Sequence, residues 1–275
     1  MLAGDGGDEL FGGNTRYAKQ RIFEWYGAVP EALRRSVLEP IFGSSIVRRT
    51  PILKKGSSYI DQARVRMPDR LDAYNLLLRT GVTSVLTPRF VAAVDTQRPI
   101  ASQRAVWDAS TAESFVDRML EFDWKYTLAD NDLPKVIGTT ELAGIDVGFP
   151  LLADELVEFS VALPPDWKVK RLKLRWFFKE ALRDFLPAEI ITKKKHGFGL
   201  PFGVWACNHV GLHALANDTV RGIAQRGIVS PAFAERLMAE YLPQWPGYYG
   251  EMVWLLMVLE TWLRARAPDW RLQAA

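Results

Sequence analysis

Past its first three residues the chain holds almost no run of alternating or β-branched apolar residues, which leaves little from which to build a sheet. Met1-Leu2-Ala3 reads as the last residues of one strand, entering a turn built from Gly4 to Gly13. A strand needs a pairing neighbour. None is evident downstream, so we expect a mostly α fold, the helical carboxyl-terminal part of a larger α/β domain that keeps only the end of one sheet strand at its N-terminus. On that reading Met1 is an internal start, or the frame is truncated.

The remainder is punctuated helix. Asn14 to Ala28 begins at a capping residue and stops near Gly27 and Pro30, and Thr87-Pro88 is a cap followed by proline at the first helical position. Phe115, Met119, Phe122 and Tyr126 recur at helical spacing, as do Leu174, Phe177, Phe178, Ala181, Leu182 and Phe185, and both stripes are expected to be core faces. Met252 to Leu259 is apolar all round and predicts a buried helix. Gly43 to Ser58 and Asp95 to Ser110 read as irregular loops. With no repeat and no linker, residues 1–275 are treated as one folding unit.

The turn Gly4-Asp5-Gly6-Gly7-Asp8-Glu9-Leu10-Phe11-Gly12-Gly13 carries the chemistry, with five glycines and three carboxylates in ten residues. Glycine lets backbone approach a phosphate and adopt positive φ, and carboxylates beside it can hold the Mg²⁺ that accompanies a nucleotide or pyrophosphate. Asp-Gly is also ordinary turn chemistry, and on spacing alone both readings stay open. An EF-hand fails, because Gly7 stands third from Asp5 and Arg16 twelfth. Neither G-x-G-x-x-G nor a Gly-Lys-Ser/Thr ending is present. Farther on, Lys193-Lys194-Lys195-His196-Gly197-Phe198-Gly199 sets lysine beside flexible glycines, suited to a phosphate or an oxyanion, although a solvated charge run has the same composition.

Leu2 to Gly13 resembles the S-G-[DE]-G-[GS]-D-E-[LV]-F-G-G segment of the asparagine synthetases, and Arg16-Tyr17 fits as well. Lys193 to Pro201, with Trp205 after it, resembles that family's basic Gly-Phe-Gly loop, Lys195 falling on its lysine. Asp123 to Val136, Gly144 to Phe159, Leu163-Pro164-Pro165 and Phe178 to Pro187 resemble intervening family segments, so the likeness covers most of residues 1–205, most loosely between about 30 and 110.

The resemblance implies the carboxyl-terminal synthetase domain of a PP-loop ATP pyrophosphatase, binding ATP and Mg²⁺. Aspartate would be activated as a β-aspartyl-adenylate and then amidated by ammonia that a separate glutaminase domain releases from glutamine. Asp5 and Lys195 would be catalytic. Asp8 and Asp5 would hold the metal, while Gly4, Gly6, Gly7, Asp8, Glu9, Arg175 and Gly197 would line the nucleotide.

Departures stand beside the likeness. The glutaminase domain and the ATP-gripping S-G-G-x-D-S loop are not found in the chain. Ile137-Gly138 stand where the family has Asp-Arg, Gly148 where it has Arg, and Ala153 where it has an acid, changes expected to repack a wall of the substrate pocket. A relative that amidates or cyclises another carboxylate, or a catalytically incomplete piece, are therefore the alternatives.

Composition sets outer limits. A hydrophobic fraction of 48% is enough for a sizeable core, and a net charge of +3 over 31.1 kDa is too weak to indicate nucleic acid. The only cysteine, Cys207, excludes a disulfide framework, and no leader or membrane span is evident, so a cytoplasmic protein acting on small molecules is expected. Cys207, His209 and His213 lie near zinc-ligand spacing but lack a fourth ligand, and an ordinary helix is the preferred reading.

Overall fold

The structure, a computed structural model, describes residues 1–43, 51–193 and 199–272. It is mostly helical, and β pairing among the described residues is limited to isolated bridges. No helix among them is long and apolar enough to cross a membrane. Contacts gather into two compact units: Met1–Arg70 with Ser102–Lys194, and Leu71–Ala101 with Lys195–Ala275.

In the first unit, Leu2 forms an isolated parallel bridge with Gly148, which is all that is seen of the expected strand end. The chain then turns into a short helix, Gly7–Phe11, and a longer one, Thr15–Ala28. Asn14 caps the latter, its Oδ1 accepting from Arg16 N–H at 3.1 Å, the device its sequence position suggested. Leu10, Tyr17, Val116, Met119, Leu120 and Phe122 form the buried interior. Trp107 adds edge-on contacts to Phe115 and Phe122, with ring centroids 5.7 and 5.9 Å away.

Three sequence expectations fail here. Residues Arg98–Ala109 are helical, not irregular, although they contain one buried apolar residue, Trp107, and so present little periodicity to read. Gly43 to Ser58 is helical from Pro51 onward, and residues 44–50 lie outside the described residues. The stripe from Leu174 to Phe185 is helical only over Trp176–Ala181, and Phe185 is 81% exposed because the helix ends before it.

The second unit is organised by the helix Pro246–Arg266, against which Phe202–Asn208 and Val210–Gln225 pack. Gly203 and Gly250 permit the first crossing: a Cβ on Gly203 would lie 1.9 Å from the Pro246 carbonyl oxygen. Thr87 Oγ1 accepts from Phe90 N–H at 3.1 Å and starts the helix Pro88–Ala93 as expected. The core of this unit includes Val85, Ala216, Val220, Ile223, Leu237 and Val253. Arg226 and Glu260 are paired inside it at 2.7 Å, each under 5% exposed.

Met252 to Leu259 is not buried all round. Met252, Val253, Leu256 and Met257 face the core, whereas Trp254, Leu255, Val258 and Leu259 are 39–55% exposed. Uniform hydropathy cannot distinguish a helix enclosed on all sides from one packed on a single side.

Candidate functional site

The acidic glycine turn is positioned by the bridge that precedes it. Ala3 N–H donates to Gly148 O and Gly148 N–H donates to Met1 O, each at 2.9 Å, which delivers the chain into the turn in one register. Gly6 has φ 91° and Gly12 has φ 71°, left-handed conformations at the two ends of the Gly7–Phe11 helix. A side chain on Gly6 would also meet Leu152 Cδ2 at 2.2 Å, and one on Gly12 would meet Val169 Cγ2 at 2.7 Å. These two glycines thus answer to backbone conformation and packing. Gly13 has a different duty, since a Cβ there would fall 1.9 Å from Asp8 Oδ1.

Arg175 closes the other side. Its N–H donates to Gly12 O at 3.1 Å while its own backbone is left-handed at φ 51°. The guanidinium lies 3.6 Å from Asp8 Oδ1. Its Nε is buried and makes no hydrogen bond among the described residues.

A cleft of about 280 Å³ opens between them, lined by Gly4 to Glu9 together with Asp132, Leu151, Arg175 and Phe178. The structure therefore brings Gly4, Asp5, Gly6, Gly7, Asp8, Glu9 and Arg175 to one cleft. It adds Asp132, which sequence reasoning passed over although it lies in a segment that carried the family likeness. A cleft of about 840 Å³ exists in the second unit, but its walls are almost wholly apolar. Charge singles out the smaller one.

Beneath the cleft lies a buried polar network. Glu9 is 5% exposed, and burial first, then the neighbouring Asp8, Asp123 and Asp132, push its carboxyl up to about 7. Its backbone oxygen accepts from Trp124 Nε1 at 3.1 Å. Asp123 is fully buried and accepts from Arg16 Nε at 2.8 Å and from Tyr17 OH at 2.5 Å. Its burial raises the carboxyl above the usual range despite the opposing pull of Arg16. Arg16 Nη2 also donates to Thr127 Oγ1 at 2.6 Å, so the Arg16-Tyr17 pair anchors the first helices to the segment after Phe115.

Lys195 and Gly197 lie outside the described residues. Among the divergent positions, Gly148 serves as the bridge partner of Leu2, and Ala153 is the N-cap of the helix Asp154–Ala162, where it makes no side-chain capping bond. Gly138 lies within the helix Leu133–Leu142, where a Cβ would meet nothing within 4 Å, and Ile137 is 37% exposed. None of the four lines the acidic cleft. Of the zinc-spaced residues, His209 caps the helix Val210–Gln225 by accepting from Leu212 N–H at 3.1 Å, and His213 Nδ1 lies 2.9 Å from Ala206 O. No group of three or more His, Cys, Asp or Glu among the described residues is arranged to hold a metal ion.

With this arrangement in place, comparison with known proteins is decisive for ancestry. Residues 1–264 match the asparagine synthase family. The chain belongs to that family. It is 24% identical over 208 residues to proteins named putative asparagine synthetase (glutamine-hydrolyzing) from Mycobacterium bovis and Mycobacterium tuberculosis, covering 74% of this chain and 30% of theirs. It is 22% identical over 228 residues to asparagine synthetase (glutamine-hydrolyzing) 1 of Bacillus subtilis, covering 82% of this chain and 33% of that one. The chain thus spans about a third of the length of these curated relatives. No solved structure matches it significantly.

Proposed function

We propose that this chain supplies the acidic side of a nucleotide site that activates aspartate with ATP and amidates it to asparagine through a β-aspartyl-adenylate, with ammonia originating from glutamine. The observation that carries the reading is the cleft in which Asp5, Asp8, Glu9 and Asp132 face Arg175. Four acids and one cation would repel a bare phosphate, so an anion bound there needs a divalent cation to accompany it.

The donor set fits Mg²⁺ in the manner usual for phosphate-bearing substrates. Mg²⁺ commonly takes one or two protein carboxylates and completes its octahedron with water and phosphate oxygens. A cleft rimmed by carboxylates without a closed three-ligand cluster accords with that mode. When bound, the ion would neutralise the leaving pyrophosphate.

Asp8 is the first candidate ligand, with Asp5 beside it. Glu9, buried and pushed up to about 7, is the weaker ligand near neutral pH. Arg175 would pair with a phosphate oxygen through its guanidinium. Asp5 would take the proton from the attacking ammonia, and Lys195 would stabilise the oxyanion of the tetrahedral intermediate. A second reading, adenylation of another carboxylate, starts from the charge missing at Ile137, Gly138, Gly148 and Ala153, positions that do not line the acidic cleft, which leaves aspartate the first reading.

Calorimetric titration of the 275-residue chain with pyrophosphate in excess Mg²⁺ tests the site. Saturable binding that weakens about tenfold or more in Asp8→Asn is expected. Absence of binding, or unchanged binding in that variant, would remove the assignment. Pyrophosphate exchange into ATP, assayed with aspartate and with other carboxylates in the product of the full reading frame, distinguishes the two substrate readings.

A further inference from the structure

In the second unit the helix Val210–Gln225 and the helical segments Pro231–Arg236 and Leu237–Tyr241 enclose a cleft of about 510 Å³. Its walls carry Ala224, Ala234 and Ala239, side chains too short to fill the space between the helices. Between Val210 and Tyr241 the chain has six carboxylate or guanidinium side chains. Asp218 pairs with Arg264 at 2.5 Å, Arg226 with Glu260 at 2.7 Å, and Arg236 with Glu240 at 3.6 Å. The two that remain, Arg221 and Glu235, have no ion-pair partner among the described residues, and both line the cleft. They carry opposite charges on different walls, yet they do not pair with each other.

We infer that this cleft binds a free α-amino acid with an apolar side chain. One cation and one anion, held apart in the same cleft, complement a ligand that itself carries both charges. A simple anion would meet Glu235 as well as Arg221, and a simple amine would meet Arg221 as well as Glu235, so each would lose at one group part of what it gains at the other. A zwitterion sets its carboxylate on the guanidinium and its ammonium on the carboxylate.

The uncharged lining suits the same ligand. His213 Nδ1 lies 2.9 Å from the Ala206 carbonyl oxygen, so that nitrogen holds the proton and Nε2 is left to accept in the neutral ring. Asn217 Nδ2 donates to His213 O at 3.2 Å, which leaves Oδ1 to accept. His213, Asn217 and Arg221 follow one another at intervals of about 6 Å, one helical turn, so the wall passes from acceptors for an ammonium to a donor for a carboxylate. Pro231, Ala234 and Met238 offer apolar ground for a side chain, the last two being 4% and 7% exposed. The volume falls within the range of small-molecule sites, about 300–1,000 Å³. The inference depends only on the second unit and is independent of the chemistry proposed for the acidic cleft.

Calorimetric titration of the whole chain with L-leucine tests it. Saturable binding at millimolar concentration or below is expected. Two truncated probes, 4-methylpentanoate without the ammonium and 3-methylbutylamine without the carboxylate, should each bind more weakly by about tenfold or more. Arg221→Gln and Glu235→Gln should each weaken L-leucine binding by about the same factor. Both positions are exposed, and circular dichroism checks that each variant is folded. Asp8→Asn should bind L-leucine as the wild type does, which separates this cleft from the acidic one. No saturable binding at about 10 mM, truncated probes that bind as well as L-leucine, an affinity unchanged in either glutamine variant, or binding lost in Asp8→Asn would each overturn the inference.

Discussion

Replacing Gly13 by alanine tests whether the Asp8 carboxylate is held in place for a ligand. The added Cβ would lie 1.9 Å from Asp8 Oδ1, 2.7 Å from Asp8 Cγ and 3.0 Å from Arg175 Cδ. A carbon and an oxygen settle at about 3.3 Å or more, so the carboxylate must retreat by about 1.4 Å. Asp8 is a short side chain that is 27% exposed, and it can rotate toward solvent instead of forcing the backbone apart. The cost to folding should therefore sit at the low end of the range for overpacking, about 1 kcal/mol, seen as a fall of a few degrees in Tm.

Binding should respond far more strongly. A charge-assisted contact is worth roughly 1.5–3 kcal/mol, so displacing it predicts a ten- to hundredfold loss in Mg²⁺-dependent pyrophosphate affinity by calorimetry. Gly138→Ala is the control, because nothing lies within 4 Å of its Cβ position and the residue is away from the cleft. It should leave affinity unchanged and raise stability slightly through helix propensity. Wild-type affinity in Gly13→Ala, or equal losses in both variants, would refute the claim that glycine at this position serves to hold Asp8.

Glu9 supplies a pH prediction. Its carboxyl rises from 4.5 to about 7 on folding, so the folded state retains a proton that the unfolded state releases. The corresponding stability is complete below about 4.5 and is lost as pH rises toward 7; in chelator, urea midpoints should show that decline in wild type and a flatter profile in Glu9→Gln. Parallel profiles would contradict it. Arg226→Met would strip the buried Glu260 of its enclosed cation, leaving only the more exposed Arg264 beside it, and deprive the carbonyls of Ala267, Pro268 and Trp270 of a donor. A loss of about 3–5 kcal/mol is expected, largely recovered when Glu260→Leu is added, and a loss below about 1 kcal/mol would place the pair with surface bridges.

Local chemistry was legible in the sequence because it operates over a few residues. Asn14 and Thr87 cap helices where they were read to do so, and Leu2, in the segment read as extended, pairs with Gly148 in an isolated bridge. The acidic turn was recognisable because five glycines and three carboxylates in ten residues have few uses, and most residues proposed from it line one cleft. Arg175 could be nominated from the family likeness, but its left-handed backbone and its approach to Asp8 arise from the bond to Gly12, far away in sequence.

Other features depended on what lies across the fold. Asp132 resembled any surface acid until the helix after Phe115 carried it to the turn. Gly13 looked like one more flexible residue, yet its missing side chain is the space that Asp8 occupies. Met252 to Leu259 showed hydropathy without periodicity, and which half was covered depended on the helices packed against it.

What the residue order alone determined was therefore the helical class, the caps and the acidic turn, each set by interactions between near neighbours. The tertiary structure decided which carboxylates share a cleft, which acid is buried enough to hold its proton near neutrality, and which apolar face remains in water. Burial and long-range electrostatics depend on distance in space, and separation along the chain does not encode it.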